Sequence, residues 1–597
     1  MSRKWVRLAM LAAAGVAAPA GAQVTASQAA PLPSSAAVPS AADQQLKALY
    51  ERYSDWVLRE WRASPEEADE NGSPAGLMQV DAASEMRRMR FRQALLAELD
   101  RIPTAELSDS ERINAAVLRT VLENAISEAR FRSWEMPFNS DSAFWAGLTP
   151  RQGLPNAKAY RNYLGRMRDV PRFFAENITN MRAGLKRGFS VPRVTLEGRD
   201  ASIAAYAETD VEKNPFYAAF RQMPENIPAA EGEALRAEAR KLIGEAVVPA
   251  YSNLLTFFRN EYVPRARTTI AAKDLPQGDR YYAAQARIYT TLDLTPREIH
   301  EIGLREVARI EAEMQQTMRE AGFGGALQEF IRHLRTDPQF YAKTPEELLM
   351  FSAWVAKRVD GKLGETIGTL PRRRFTILPV PDEIAPYYTA GRGGLQSCLM
   401  NTYDLPSRPL YNIPALTLHE CAPGHSMQAA LAEERPAVPK FRQNLYFSGY
   451  GEGWGLYSEW LGIGMGIYRT PYENFGRLSY EMWRAARLVI DTGIHQYGWS
   501  RERATEYLAS RTALSEHEVR TEIDRYISWP GQALSYKLGE ITIHKLRREA
   551  EAKLGPKFDQ RAFHDAILNL GAVPLPVLES EIRRFIDASA QQPQTRP

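Results

Sequence analysis

A mainly α fold with a small β-sheet beside its chemical centre is what this sequence predicts, and three observations carry the prediction. Apolar residues recur at helical spacing over most of residues 44–290, beginning with LKALYERYSDWVLREW at 46–61. A second helical series opens at Leu294-Thr295-Pro296, where Thr295 is the N-cap, Pro296 lies in the first turn and Glu298 completes a capping box. Short β-like runs occur only near Phe375–Leu378 and Gly394–Tyr403, between Gly and Pro residues. They lie just before the densest group of ligand-type side chains.

The N-terminus reads as an export signal. Arg3, Lys4 and Arg7 precede the apolar run Leu8–Ala18, and Ala20-Gly21-Ala22 is a small-residue cleavage site. Residues 1–22 are therefore expected to be removed, and the destination is periplasmic or secreted. No cysteine follows the cut, so a lipid anchor there is not expected. Residues 23–43 are mostly Ala, Pro, Ser and Gln, a composition that cannot bury a core and predicts a disordered linker.

Helices are expected at Ser84–Leu99, Ser108–Arg130 and Glu231–Arg259, with loops over Trp134–Pro155. Residues 44–290 thus form an N-terminal helical region and 291–597 a second region that holds the chemistry. A chain of 597 residues implies several domains or one large helical body with two lobes.

Composition excludes some classes of partner. Losing Arg3, Lys4 and Arg7 with the leader takes the formal charge from +3 to 0, which gives no footprint for nucleic acid or an anionic membrane. No later stretch approaches the roughly 20 apolar residues of a membrane span. No obligate protein partner is evident. Two cysteines, Cys398 and Cys421, are no disulfide framework in a chain of this length, and Cys421 reads as a small packing residue.

The chemistry concentrates at Pro414–His425, PALTLHECAPGH. Two of the eight histidines, His419 and His425, fall here, with Glu420 between them. A His-Glu pair on a helix can supply a zinc ligand and a general base, and a second His can complete a two-nitrogen clamp. The two histidines are six apart, which turns the second by about 240° from the first on a regular helix. Pro423-Gly424 occupies the gap, and a break there would swing His425 back toward the metal. Glu452 and Glu459 follow, seven apart and so on one helical face, among Trp454, Leu456, Tyr457 and Trp460. One can ligate a metal while the other orients a histidine.

His419-Glu420-x-x-Pro423-Gly424-His425, with Glu452-Gly453-Trp454-x-x-Tyr457-x-Glu459, resembles the bacterial domain-of-unknown-function family 885. Pro530–Gly539 (PGQALSYKLG) and Leu294-Thr295-Pro296 with Ile302-Gly303 extend the match. That family is placed among gluzincin-like metallopeptidases, distantly similar to thimet oligopeptidase, angiotensin-converting enzyme and the thermostable carboxypeptidases. The resemblance implies a zincin-like body, one Zn2+ per chain on His419, His425 and Glu452, and Glu459 as the companion of a ligand histidine. It implies Glu420 as general base and a peptide as substrate. The family shares the two-residue expansion between the histidines; its distant relatives lack it.

Related peptidases place an oxyanion donor in the C-terminal region. Tyr536 is the first candidate here and His495 the second, with Arg525 and Tyr526 behind them; Asp491 and His495 also form an ordinary i,i+4 pair. Gly393–Asn401 reads as an edge strand able to pair with an extended peptide. Arg392, Arg484, Arg487 and Lys537 are each able to hold a substrate C-terminal carboxylate. A non-catalytic peptide- or partner-binding protein and a zinc hydrolase of non-peptide amides are the rival readings.

Overall fold

The computed structural model describes residues 39–60, 76–150, 153–382, 385, 389–435 and 438–591. The leader and most of the 23–43 linker lie outside the described residues. Helix α1 (Ala41–Glu60) starts three residues before the expected onset at Gln44 and buries Leu46, Leu49, Tyr50 and Tyr53. Helices α2 (Ala82–Leu99) and α3 (Asp109–Phe131) follow, α2 capped by Asp81, which accepts from the Ala83 and Ser84 amides. The described residues of Trp134–Pro155 are loop and short turns, as the Gly, Pro and aromatic content of the stretch predicts.

Helix α4 (Ala157–Arg187) and the continuous helical run Ala229–Arg265 build one lobe. That run contains two π turns, Ile243–Val247 and Phe258–Tyr262, each just ahead of a proline, Pro249 and Pro264. Proline has no N–H to return to the preceding turn, and the wider π turn relieves the register there.

The remaining helices form the body: α5 (Gly278–Thr290), α6 (Pro296–Glu320) and α7 (Pro345–Asp360), then the sheet and the site helices. Helix α6 starts with the capping box expected at Thr295 and Glu298, both halves of which are present. After α7 come β1 (Thr376–Pro379), β2 (Gly391–Gly393) and β3 (Ser397–Met400), in the order β1-β3-β2. Strand β3 runs parallel to β1, pairing Thr376 with Ser397, and antiparallel to β2, pairing Gly393 with Cys398. The edge strand expected over Gly393–Asn401 is therefore the central one, and the edge beside the site is β2, which the sequence does not announce.

Next are α8 (Ile413–Glu420), α9 (His425–Glu434), α10 (Ser448–Gly464) and α11 (Pro471–His495). They are followed by α12 (Glu516–Ser528), α13 (Ser535–Leu554), α14 (Gln560–Leu570) and α15 (Leu575–Gln591). Helix α6 packs along α11 and α10 along α13.

Two large cores stand out. Leu77 and residues 138–266 close on themselves around Trp145, Tyr163, Phe174, Tyr251 and Phe258. Helices α1–α3 instead share a core with α10, α13, α14 and α15. Among the described residues no helix is long and apolar enough to cross a membrane.

Candidate metal centre

Helix α8 ends at Cys421, where the backbone leaves helical geometry (φ −95, ψ −90), and α9 restarts at His425. The break expected at Pro423-Gly424 is present. It is held from both sides: the Gly424 amide donates to Leu418 O at 3.0 Å and the Met427 amide to Cys421 O at 3.1 Å. Trp454 of α10 donates its indole N–H to Pro423 O at 2.8 Å. A Cβ on Gly424 would sit 1.8 Å from the carbonyl oxygen of His419, so this crossing admits only glycine.

The break returns His425 to His419. Their rings lie 4.9 Å apart at 83°. His419, His425 and Glu452 each offer one ligand atom within 4.8 Å of the others. Glu452 Oε2 is 3.5 Å from His419 Nε2 and 3.3 Å from His425 Nε2. These separations are long beside the ~2.9 Å of an ordinary N–H···O bond. They match the roughly 3.4 Å edge of a tetrahedron whose ligands stand ~2.1 Å from a central ion. The donor set therefore fits a divalent metal ion.

Glu459, two turns beyond Glu452 on α10, accepts from His419 Nδ1 at 2.8 Å and is buried. That bond fixes the tautomer that leaves His419 Nε2 with its lone pair toward the centre. Gly455 lies under the imidazole, where a Cβ would come within 2.8 Å of the ring. Burial works against a charge on His419, yet the bonds to Glu452 and Glu459 outweigh it and bring its pKa to about 9. His425 behaves the same way, with burial opposed by Glu452. Glu452 resists its own desolvation because His425 and His419 hold it well below the usual carboxylate range. A metal ion held by these groups would compete with protons for the two imidazoles.

Glu420 stands at the rim, its Oε2 accepting the Gly393 amide of β2 at 2.6 Å. That N–H is committed to Glu420 rather than to a peptide. Tyr446, which carries no sequence signal of its own, donates its hydroxyl to Glu452 Oε1 at 2.7 Å although the residue is 59% exposed. An exposed tyrosine thus holds the partly buried ligand Glu452 from the solvent side. Only its position six residues before Glu452 could have flagged it.

Tyr536 lies at the start of α13, mostly buried, its hydroxyl accepting from Arg525 Nη2 at 3.2 Å. His495 is not brought to the centre. It is fully buried, Nδ1 accepting the Ala272 amide at 3.0 Å and Nε2 donating to Tyr526 O at 2.9 Å. With both nitrogens used and burial lowering its pKa to about 3, it is a neutral core group. Asp491 does not pair with it; it accepts from Tyr282 and the Gly531 amide.

The cysteines also correct their expectation. Cys398 of β3 and Cys421 form a disulfide, with Cα atoms 5.4 Å apart and a sequence separation of 23. It fastens the residue after Glu420 to the central strand. By the loop-entropy argument a link of this length contributes about 3 kcal/mol.

Fold and site together define a large helical protein with a His-His-Glu cluster at a broken helix, backed by a short mixed sheet. The chain belongs to a family described as bacterial protein of unknown function (DUF885), whose profile matches residues 65–582. Its structure is similar to the crystal structure of a protein from Colwellia psychrerythraea, provisionally described as a lipoprotein, with 26% identity and a TM-score of 0.84 over 92% of this chain and 100% of that one. It also shares its fold with a protein from Shewanella oneidensis, provisionally described as a lipoprotein of unknown function, at 18% identity and a TM-score of 0.62 over 91% and 99% of the two chains. No curated protein matches.

Proposed function

We propose that this chain is an exported zinc-dependent peptidase acting on short peptides, with Glu420 as general base. The observation that carries the reading is the placement of His419 Nε2, His425 Nε2 and Glu452 Oε2 at separations suited to one tetrahedral ion, with a carboxylate next along the chain. A purely structural metal, or a passive peptide-binding surface, has no use for that carboxylate. His419, His425 and Glu452 would hold the zinc, which when bound supplies the Lewis acidity that makes water surrender a proton near neutral pH.

The chain's own groups supply the rest. Glu420 has Oε2 fixed by the Gly393 amide, leaving Oε1 to take the water's proton as the oxygen adds to the peptide carbonyl. The same oxygen returns the proton to the amine as the C–N bond breaks. The Tyr446 hydroxyl, which donates to Glu452 Oε1, would turn from that carboxylate to the carbonyl oxygen as the latter gains charge. Export is supported by the Cys398–Cys421 disulfide, which persists in oxidising compartments, and by the lipoprotein descriptions of both similar structures.

The test is zinc content beside turnover of a panel of short peptides. The native protein is expected to retain about one zinc per chain, and His425→Ala to lose it. Glu420→Gln should keep the zinc and the melting temperature while hydrolysis falls about 10²–10⁴-fold. A native protein that takes up no zinc, or a Glu420→Gln variant with near-native turnover, sinks the proposal.

A further inference from the structure

Beside the centre lies a cluster of cations that the hydrolytic step does not use. Arg484 and Arg487 are one turn apart on α11, both buried, and Arg525 comes from α12. Arg484 Nη2 is 3.5 Å from Glu459 Oε1, the oxygen that receives His419 Nδ1. Arg487 donates to Tyr526 Oη at 2.9 Å and Glu522 Oε2 at 2.7 Å, and lies 4.2 Å over the Tyr536 ring. Arg525 reaches Glu522 at 3.4 Å, Gln532 at 2.8 Å and the Tyr536 hydroxyl at 3.2 Å.

Two features of this cluster call for an anion. Arg484 Nε, Arg487 Nη1 and Arg525 Nε are buried N–H groups with no protein acceptor. Around them, among the described residues, the guanidinium groups of Arg408, Arg484, Arg487 and Arg525 pair with three carboxylates, Glu459, Glu518 and Glu522. A desolvated cation without a counter-charge costs several kcal/mol. Monoanionic carboxylate matches both the surplus charge and the planar fork of an arginine. Lys537 is no rival for that role, since Glu306, Glu481 and Glu540 already surround its ammonium.

Arg525 is the member of the cluster that solvent reaches. The Arg525 side chain is 21% exposed and donates to the Tyr536 hydroxyl, while Arg484 joins the cluster to the centre through Glu459 and His419. We infer that Arg525 and the Tyr536 hydroxyl receive the C-terminal carboxylate of the peptide, with Arg487 and Arg484 as positioning residues behind them, so that the protein is a carboxy-terminal exopeptidase. This rests on the peptidase reading and narrows it to short peptides with a free C-terminus.

The zinc-loaded full chain tests it with three N-blocked tripeptides of matched sequence: a free acid, its C-terminal amide, and an amide with Asp as the last residue. Loss of a charge-assisted pair predicts that kcat/KM falls about 10–100-fold from acid to amide. The Asp amide should not recover it. Arg525→Gln should remove most of the acid's advantage over the amide, and Arg525→Lys should restore part of it. Equal rates for acid and amide in the native protein overturn the subsite while leaving the peptidase standing, and rescue by the Asp amide assigns the cluster to an acidic side chain instead. Peptide affinity of Glu420→Gln, read from tryptophan fluorescence, keeps the two claims apart. Acid bound more tightly than amide, in a native protein that hydrolyses neither, supports the carboxylate site and overturns the peptidase; equal affinity overturns the site.

Discussion

The lobe around α4 and the wall of the metal centre keep their charges in opposite places. In the lobe, ion pairs such as Arg182–Glu261 and Arg259–Asp200 join helices at the surface, with both arginines about half exposed. Its interior is aromatic, and the buried hydroxyls of Tyr160 and Tyr251 end on the backbone carbonyls of Ala219 and Trp145. In the wall, Glu459, Arg477, Glu481, Arg484, Arg487, Glu522, Lys537 and Glu540 are all buried. Desolvating an ion costs several kcal/mol, and apolar residues of the same volume often stabilise at least as well. The wall's charges are therefore placed for what they do to the centre: Glu459 aims a ligand histidine, and the arginines set the field beside it.

The largest effect that would break this contrast is at Lys537. Its ammonium lies 2.8 Å from both Glu481 and Glu540 and 3.2 Å from Glu306, and those carboxylates hold its pKa above the ordinary value despite burial. Lys537→Met leaves Glu540 with only His544 close by. Denaturant unfolding should show a loss of about 3–5 kcal/mol. A loss under 1 kcal/mol would mean the wall tolerates unpaired charge.

Acid should separate the two regions next. The lobe's stretch 138–266 contains no histidine, whereas the body buries His495 and His564 in neutral form. Burial lowers their pKa values to about 3 and about 4. Both fall below the ordinary 6.5, so below pH 6.5 the unfolded chain takes up protons that the folded body refuses. The stability these groups contribute is present above pH 6.5 and is lost as pH falls toward 4 and then 3, by a few kcal/mol in all. Hydrogen exchange at pH 4–5 should show the body opening before the lobe. Simultaneous opening would tie the two cores into one cooperative unit.

A smaller effect is expected at Glu459. Glu459→Gln keeps the shape but weakens the hold on His419 Nδ1, and zinc affinity should fall about 10–100-fold. Unchanged affinity by competition with a chelator would show that the histidine is aimed by packing on Gly455 alone.

What the sequence disclosed and what it withheld follow one physical rule. Local signals were readable: the Thr295 capping box, the break at Pro423-Gly424, and the seven-residue spacing that sets Glu452 and Glu459 on one face of α10. Contacts made across the fold left no local trace. The Cys398–Cys421 bond depends on β3 passing beside the end of α8, which spacing does not encode. His495 looks like any catalytic histidine until Ala272 and Tyr526 are seen to occupy both nitrogens. Strand β2 has three residues, too few for an alternating pattern, although its Gly393 amide holds Glu420. Tyr446 is the same case in reverse, since an exposed tyrosine is unremarkable until its hydroxyl is found on Glu452.

The smallest expected effect sharpens the contrast from the lobe's side. Arg182 on α4 donates to both oxygens of Glu261, between 2.8 and 3.1 Å, and its guanidinium lies 5.0 Å over the Phe257 ring. Geometry alone makes it the best-formed pair of the lobe, closer to ideal than Arg484 with Glu459. Yet the arginine side chain is 53% exposed, so water and salt compete for both partners. Arg182→Ala should therefore cost below about 1 kcal/mol, and even that should shrink at 1 M salt, where screening acts within roughly 3 Å. A loss above 2 kcal/mol that persists in salt would show that bidentate geometry outweighs exposure here. The lobe's surface pairs would then share the structural weight that the contrast assigns to its aromatic core.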